Sequence, residues 1–221
     1  MYLAEVSVRR GRHHTWRLAH AGGQRNETIH FLEEYTKANQ PFLLVSSLLK
    51  SHDPFMPAKR FAEMFEADKM ELSKTWGETN LESLPRPVPK WIEKPPFTPE
   101  LAHASAARER TACYYGSLAQ SDDCVGQILA ALTRLGPDRN TIVVYTSDHG
   151  EMLGDLGLWN KFQFYEGSCG VPLMFRIHGD SPGVCSQPVS QISLKATLGE
   201  LCGVPTTSSD GESIAYPGGG T

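Results

Sequence analysis

The stretch Thr141 to Lys161, TIVVYTSDHGEMLGDLGLWNK, confines the possible fold more tightly than any other part of the chain. Thr141 to Thr146 is a short apolar run rich in β-branched residues, the pattern of a strand buried on both faces. Asp148, His149 and Gly150 follow at once. In an open α/β sheet, ligands sit in the crevice beyond the carboxyl ends of the strands, so a carboxylate and an imidazole at this point can reach a metal or an anion. Gly150, Gly154 and Gly157 are expected to let the loop take backbone angles that other residues resist, and Lys161 ends it with a mobile cation. Chemistry alone leaves Asp148 open between a ligand and a turn-forming residue.

The sequence ahead of this stretch supplies the other half of a parallel βαβ unit. Glu100 to Leu135 reads as one long helix or two in series, with Leu118, Val125, Ile128, Leu129, Leu132 and Leu135 as its apolar stripe. Gly136-Pro137 closes it. Asp122 and Asp123 point in different directions on such a helix, so one of them should face solvent and neither is read as a metal ligand. Earlier still, Asn26 is a plausible helix N-cap, with Ile29, Leu32 and Tyr35 at helical spacing up to about Asn39. Pro41 stops that helix, and PFLLVSSLL is expected to form a second buried strand. Just past its end lies His52, in isolation an ordinary loop histidine. An amphipathic helix is expected from Ala58 to Met70, with Phe61, Met64 and Phe65 inward, and then a proline-rich loop to about Pro99. Beyond Lys161, a third strand in VPLMFRI and a helix from Val189 to Cys202, closed by Gly203 and Pro205, complete the pattern.

SDHGE, then LGDLGLW and Lys161, then YEGSCGVPLMFR closely resemble the metal and sulfate-binding segment of the sulfatase family, in the alkaline phosphatase superfamily. His52-Asp53-Pro54-Phe55 after an apolar strand resembles the family's His-x-Pro-Phe motif, and Tyr114-Tyr115 ahead of the Asp pair is similarly placed. The resemblance implies an alkaline-phosphatase-like α/β sandwich, with a mostly parallel central sheet and helices on both faces, incomplete here. It implies a divalent cation, usually calcium in the family with magnesium or manganese as alternatives, held by Asp148 and His149. It also implies Lys161 on a sulfate oxygen, and His52 contacting the sulfate or protonating the departing oxygen. An imidazole's ordinary titration range suits that proton transfer at neutral pH. Leu156 stands where the family often has His, Ser193 where Asp is frequent and Ala196 where Pro is frequent.

The resemblance covers about Asn26 to Gly211. The expected layout is a basic N-terminal segment over 1–25, a partial catalytic domain over 26–211 and a flexible tail over 212–221. Sulfatases hydrolyse the ester with a formylglycine made from the Cys or Ser that opens a Cys/Ser-x-Pro-x-Arg motif. Cys113, Cys124, Cys169, Cys185 and Cys202 do not sit in such a motif, and neither does any serine. Their odd number and lack of CxxC spacing give no disulfide framework and no zinc site. Residues 1–25 carry five arginines against one acid without an apolar core, so they do not read as a secretory signal, and a cytoplasmic location is expected for the chain as given. His13, His14 and His20 lack acidic partners and are expected to be solvated.

A net charge of −4 argues against nucleic acid held on a basic surface. No run approaches the 18 or so apolar residues of a membrane helix. The expected partner is a small-molecule or carbohydrate sulfate ester. Three readings stay open: a fragment of a sulfuric ester hydrolase, a phosphodiester or phosphonate hydrolase of the same superfamily, and a noncatalytic anion-binding remnant.

Overall fold

A computed structural model of the chain describes residues 4–6, 9–10, 12–13, 16–18, 21–38, 41–76, 103–206 and 209–215, with side chains from residue 23 onward. They fall into two compact units, 1–175 and 176–221. The expected loop from residue 77 onward, with Trp91 and all of its prolines, lies outside the described residues, as do the side chains of His13, His14 and His20.

The first unit opens with two small antiparallel pairs, β1 (Ala4–Val6) with β4 (Trp16–Leu18), and β2 (Arg9–Arg10) with β3 (Arg12–His13). Helix α1 spans Ala21–Lys37, so Asn26 lies inside it and is not its N-cap. The reason is tertiary. Gln24 and Thr28 are buried on the helix face turned to the 42–49 segment. The Leu49 amide donates to Gln24 Oε1 at 3.3 Å, and the Thr28 and Ser46 hydroxyls are 2.8 Å apart. These bonds carry the helix a turn further back than its sequence cap, and Asn26 Oδ1 accepts from Arg25 instead.

The 42–49 segment is extended but is not the expected buried strand. Only Val45 makes a β-bridge, and Leu43 and Val45 are more than half exposed, while Phe42 packs edge-on to Phe31 of α1. One face of the segment meets α1 and the other is uncovered. The helix expected over 58–70 is also cut short, to α2 (Lys59–Ala62) and a 3₁₀ turn at Ala67–Lys69. Phe61 is buried as expected, whereas Met64 is 60% exposed and therefore not part of an inner face.

Helix α3 runs unbroken over Ala104–Leu135. Gly136 ends it in the left-handed region, φ 92°, where its amide reaches the Leu132 and Thr133 carbonyls. The side chains that α3 buries fully are small: Ala107, Thr111, Ala112, Ser117, Cys124 and Ala131, with Leu132 the large exception. Of the anticipated stripe, Leu118, Val125, Ile128, Leu129 and Leu135 are half-buried. Close approach explains the preference for small residues. A Cβ on Gly116 would come within 3.0 Å of the Phe61 carbonyl oxygen and of Pro57 Cγ. Arg134 pairs with Glu33 of α1, and Arg60 of α2 pairs with Asp123, each at 2.9 Å. Asp123 is thus a structural ion-pair partner and Asp122 is exposed.

After α3 the chain enters β5 (Val143–Thr146), which pairs with β6 (Leu173–Arg176). Strand β5 is half-buried at Val143 and Val144 but exposed at Tyr145 and Thr146, not buried on both faces. Among the described residues β6 is its one strand neighbour. The short helix α4 (Glu166–Cys169) lies between them in sequence. The second unit is built on α5 (Leu194–Leu201), entered through a 3₁₀ turn at Gln191–Ser193 and closed by Gly203 at φ 64°. Thr197, almost fully buried, donates to the Ser193 carbonyl at 2.7 Å and accepts from the Ile214 amide at 3.1 Å, which lays residues 209–215 along the helix.

Candidate functional site

The loop that leaves β5 is held in place before any ligand side chain is considered. The Gly150 amide donates to the Ser168 carbonyl of α4 at 2.7 Å. A Cβ there would collide with the Gly167 carbonyl, so Gly150 is required for close approach and not, as expected, for a left-handed backbone angle. Gly154 and Gly157 do take positive φ, 86° and 70°, and so do Leu153, Leu156 and Asn160. Leu156 fills its place by packing on the buried pair Met152 and Leu158. A carboxylate organises the loop's two ends: Glu151 Oε1 accepts the amides of Asn160 at 2.6 Å and Leu153 at 3.4 Å.

On this frame the structure brings His52, His149 and Lys161 into one cluster. The His52 Nδ1 lies 2.7 Å from the Asp53 carbonyl oxygen, which can only accept, so Nδ1 carries the hydrogen and Nε2 the lone pair. Lys161 Nζ donates a hydrogen bond to that Nε2. His149 repeats the pattern, its Nδ1 donating to the Gly150 carbonyl at 2.8 Å. The two imidazoles meet edge to face with centroids 5.9 Å apart. Asp148 stands at the margin, its side chain 88% exposed, with Oδ2 3.7 Å from His149 Nε2 and Oδ1 accepting the His149 amide at 3.1 Å.

Asp148 and His149 are donors of the right kind for a divalent cation. Among the described residues no group of three or more His, Cys, Asp or Glu side chains could hold one. Calcium takes six to eight oxygen ligands, of which this pair offers only the Asp148 carboxylate, while the imidazole nitrogen of His149 is a donor better suited to a transition metal; together they form at most one edge of a cation's shell and not a closed site.

Three further groups were not legible as site residues in the sequence. Arg110 of α3 donates through Nη2 to Asp53 Oδ1 at 2.7 Å and to Asn160 Oδ1 at 3.4 Å. Asp155 Oδ1 accepts from the Ser73 hydroxyl at 2.7 Å and from the Thr75 hydroxyl, while the Leu156 amide donates to Thr75 Oγ1. These bonds hold the Asp155 carboxyl below its ordinary range. Trp76 packs beside Gly154, so the 73–76 segment is docked on the glycine loop. Tyr114 meets Phe55 edge to face at 5.1 Å, and burial, reinforced by the Glu151 charge, pushes its phenol up.

The sulfatase family model matches residues 12–204, nearly the whole chain. The chain belongs to the sulfatase family. It is 31% identical over 173 residues to choline-sulfatase of Rhizobium meliloti (strain 1021), covering 78% of this chain and 33% of that protein. An arylsulfatase of Clostridium perfringens (strain 13 / Type A) is also 31% identical, over 157 residues, covering 66% of this chain and 30% of its own length. The chain thus spans about a third of the length of the curated relatives it matches. Among solved structures, a protein in complex with its substrate D-glucosamine-2-N,6-O-disulfate superposes with a TM-score of 0.72 at 21% identity, over 92% of this chain and 53% of that one. The phosphonate monoester hydrolase of Agrobacterium radiobacter gives 0.62 at 24% identity, over 85% and 41%. These two show the fold, an alkaline-phosphatase-like α/β arrangement of which this sulfatase chain holds a part.

Proposed function

We propose that this sulfatase chain supplies the anion-binding and proton-transfer residues of a sulfuric ester hydrolase site, acting on a small-molecule or carbohydrate sulfate ester. The observation that carries the reading is the hydrogen bond from Lys161 to His52 beside His149. A mobile ammonium and an imidazole in contact suit a tetrahedral oxyanion next to a leaving oxygen. Lys161 would turn from Nε2 onto a sulfate oxygen and offset its charge. The freed Nε2, with Nδ1–H held by the Asp53 carbonyl, would first take up a proton from water, making the imidazolium, and then give that proton to the departing alkoxide, returning to the neutral Nδ1–H form. Asp148 and His149 would hold the edge of a divalent cation, calcium by the resemblance to the family, with magnesium or manganese as alternatives. When bound, that ion would polarise the sulfate oxygens.

No cysteine or serine of the chain opens a Cys/Ser-x-Pro-x-Arg motif, so the isolated 221 residues are expected not to turn over an ester. Metal-dependent hydrolysis of an aryl sulfate by the purified chain would overturn that expectation. Binding is tested separately, by calorimetric titration with inorganic sulfate in the presence of calcium. Losing a hydrogen bond to a charged group costs about 1.5–3 kcal/mol, so Lys161→Met should weaken sulfate binding by about tenfold or more. Equal affinity of wild type and variant would remove Lys161 from the site. The phosphonate monoester hydrolase neighbour keeps a second reading open, that the tetrahedral group is phosphoryl. Titrating methylphosphonate beside sulfate separates the two.

A further inference from the structure

Arg110 touches neither His52 nor Lys161 in any hydrogen bond described above, yet the loops that carry both converge on it. From the His52 loop it receives two contacts: Asp53 Oδ1 accepts from Nη2 at 2.7 Å, and the Phe55 ring lies under the guanidinium carbon at 4.7 Å. From the Lys161 loop it receives two more of the same kinds. Asn160 Oδ1 accepts at 3.4 Å, and the Trp159 ring centroid is 5.3 Å from the same carbon. Asp53 is the chain neighbour of His52, and Asn160 is the chain neighbour of Lys161.

We propose that Arg110 is the positioning residue that holds His52 and Lys161 in register with one another. The inference rests on reading that pair as the anion-binding, proton-transfer pair. A guanidinium is planar, so it can lie against aromatic faces while donating from its edge, which the point charge of a lysine cannot reproduce. Its platform is rigid. Arg110 sits in the second turn of the long helix α3, flanked by the buried Ala107, Thr111 and Ala112, and its own side chain is only 23% exposed. The two aromatic partners are fixed as well, Phe55 at 8% and Trp159 at 1% exposure. The Asp53 carbonyl that fixes the His52 tautomer belongs to the residue whose carboxylate Arg110 grips. Holding Asp53 therefore holds the hydrogen on Nδ1 and leaves Nε2 facing Lys161.

The test reads imidazole nitrogen NMR of the full chain, with the His52 signals assigned by their loss in His52→Gln. In wild type His52 should show a single tautomer, protonated at Nδ1. Arg110→Met and Arg110→Lys should both lose that lock and give the tautomer mixture of a solvated imidazole, while His149, held by the Gly150 carbonyl, keeps its own tautomer. Asp53→Ala and Asn160→Ala each remove one polar contact and keep the proposal testable if the arginine variants do not fold. His52 spectra identical to wild type in every folded variant would overturn the positioning role, even where thermal unfolding shows a lower midpoint. A parallel titration with inorganic sulfate separates the two claims. Failure of wild type to bind sulfate would sink the functional reading, while the tautomer comparison still decides the role of Arg110.

Discussion

Replacing Asp155 by Asn removes the charge to which the 73–76 segment is bonded and should loosen its hold on the glycine loop, with an effect that depends on pH with a definite sign. Two hydroxyls, from Ser73 and Thr75, donate to one carboxylate oxygen, and Thr75 in turn accepts the Leu156 amide. Hydrogen bonds to charged groups contribute about 1.5–3 kcal/mol each. The carboxylate is only half-buried, so solvent screening reduces each bond and a joint contribution of about 2 kcal/mol is expected. The hydroxyl bonds hold the folded-state pKa of Asp155 below its unfolded value. Its contribution is therefore fully present above the unfolded aspartate value, about 3.9, and is lost as pH falls through the lower folded value. Urea unfolding of wild type and Asp155→Asn at pH 7 should differ by about 2 kcal/mol, and the gap should narrow steadily below about pH 4. A gap that stays constant to the acid limit of the folded state, or no gap at pH 7, would refute the assignment.

Other substitutions probe the frame of the site. Trp159→Ala removes a side chain that is 1% exposed and leaves Arg110 and Gly154 facing a void, so a loss of about 3–5 kcal/mol is expected from chemical denaturation. Gly150→Ala sets a Cβ on the Gly167 carbonyl oxygen, which backbone movement alone can relieve. It should lower the thermal midpoint and shift the amide signals of residues 148–152 and 166–169, while an unchanged spectrum would show that the loop is not held there. Gly136→Ala, at φ 92° with open space around it, tests conformation without contact and should cost about 1–2 kcal/mol in the same unfolding assay.

Legibility differed between kinds of residue for physical reasons. His52, Asp148, His149 and Lys161 are named through the resemblance to the sulfatase motifs; position alone, past a strand end where ligands gather in an α/β sheet, leaves His52 a loop histidine and Asp148 a ligand or a turn residue. The long helix was legible too, since a stop of Gly136-Pro137 is local chemistry. Its buried face was not. Periodicity selects the large residues Leu118, Val125 and Ile128, but packing against Phe61 and Pro57 at contact distance selects Ala, Ser and Gly. The start of α1 was misread at Asn26 for a similar reason, because hydrogen bonds from the distant Ser46 and Leu49 outweigh a local cap. The strands expected at 42–49 and 141–146 have the composition of doubly covered elements. In the described residues each has one covered face, which leaves Leu43, Val45 and Tyr145 exposed.

Arg110 shows why the supporting residues of a site are harder to read than its ligands. A candidate ligand is picked out by what stands beside it in the chain, as His149 is by Asp148. A supporting residue is defined by what it meets across space: Arg110 lies 57 residues from Asp53 and 50 from Asn160. In RERTACYY it is one of two arginines two residues apart on a helix, and nothing local separates them. Packing does. Residues two apart on a helix face different directions, so only one of the pair can enter the slot between Phe55 and Trp159. The same argument applies to Glu151, which follows the conspicuous Asp148-His149-Gly150 and ties the amide of Asn160 back to the start of the loop. The His52 and Lys161 side chains meet because Glu151 closes the loop and Arg110 joins it to its neighbour.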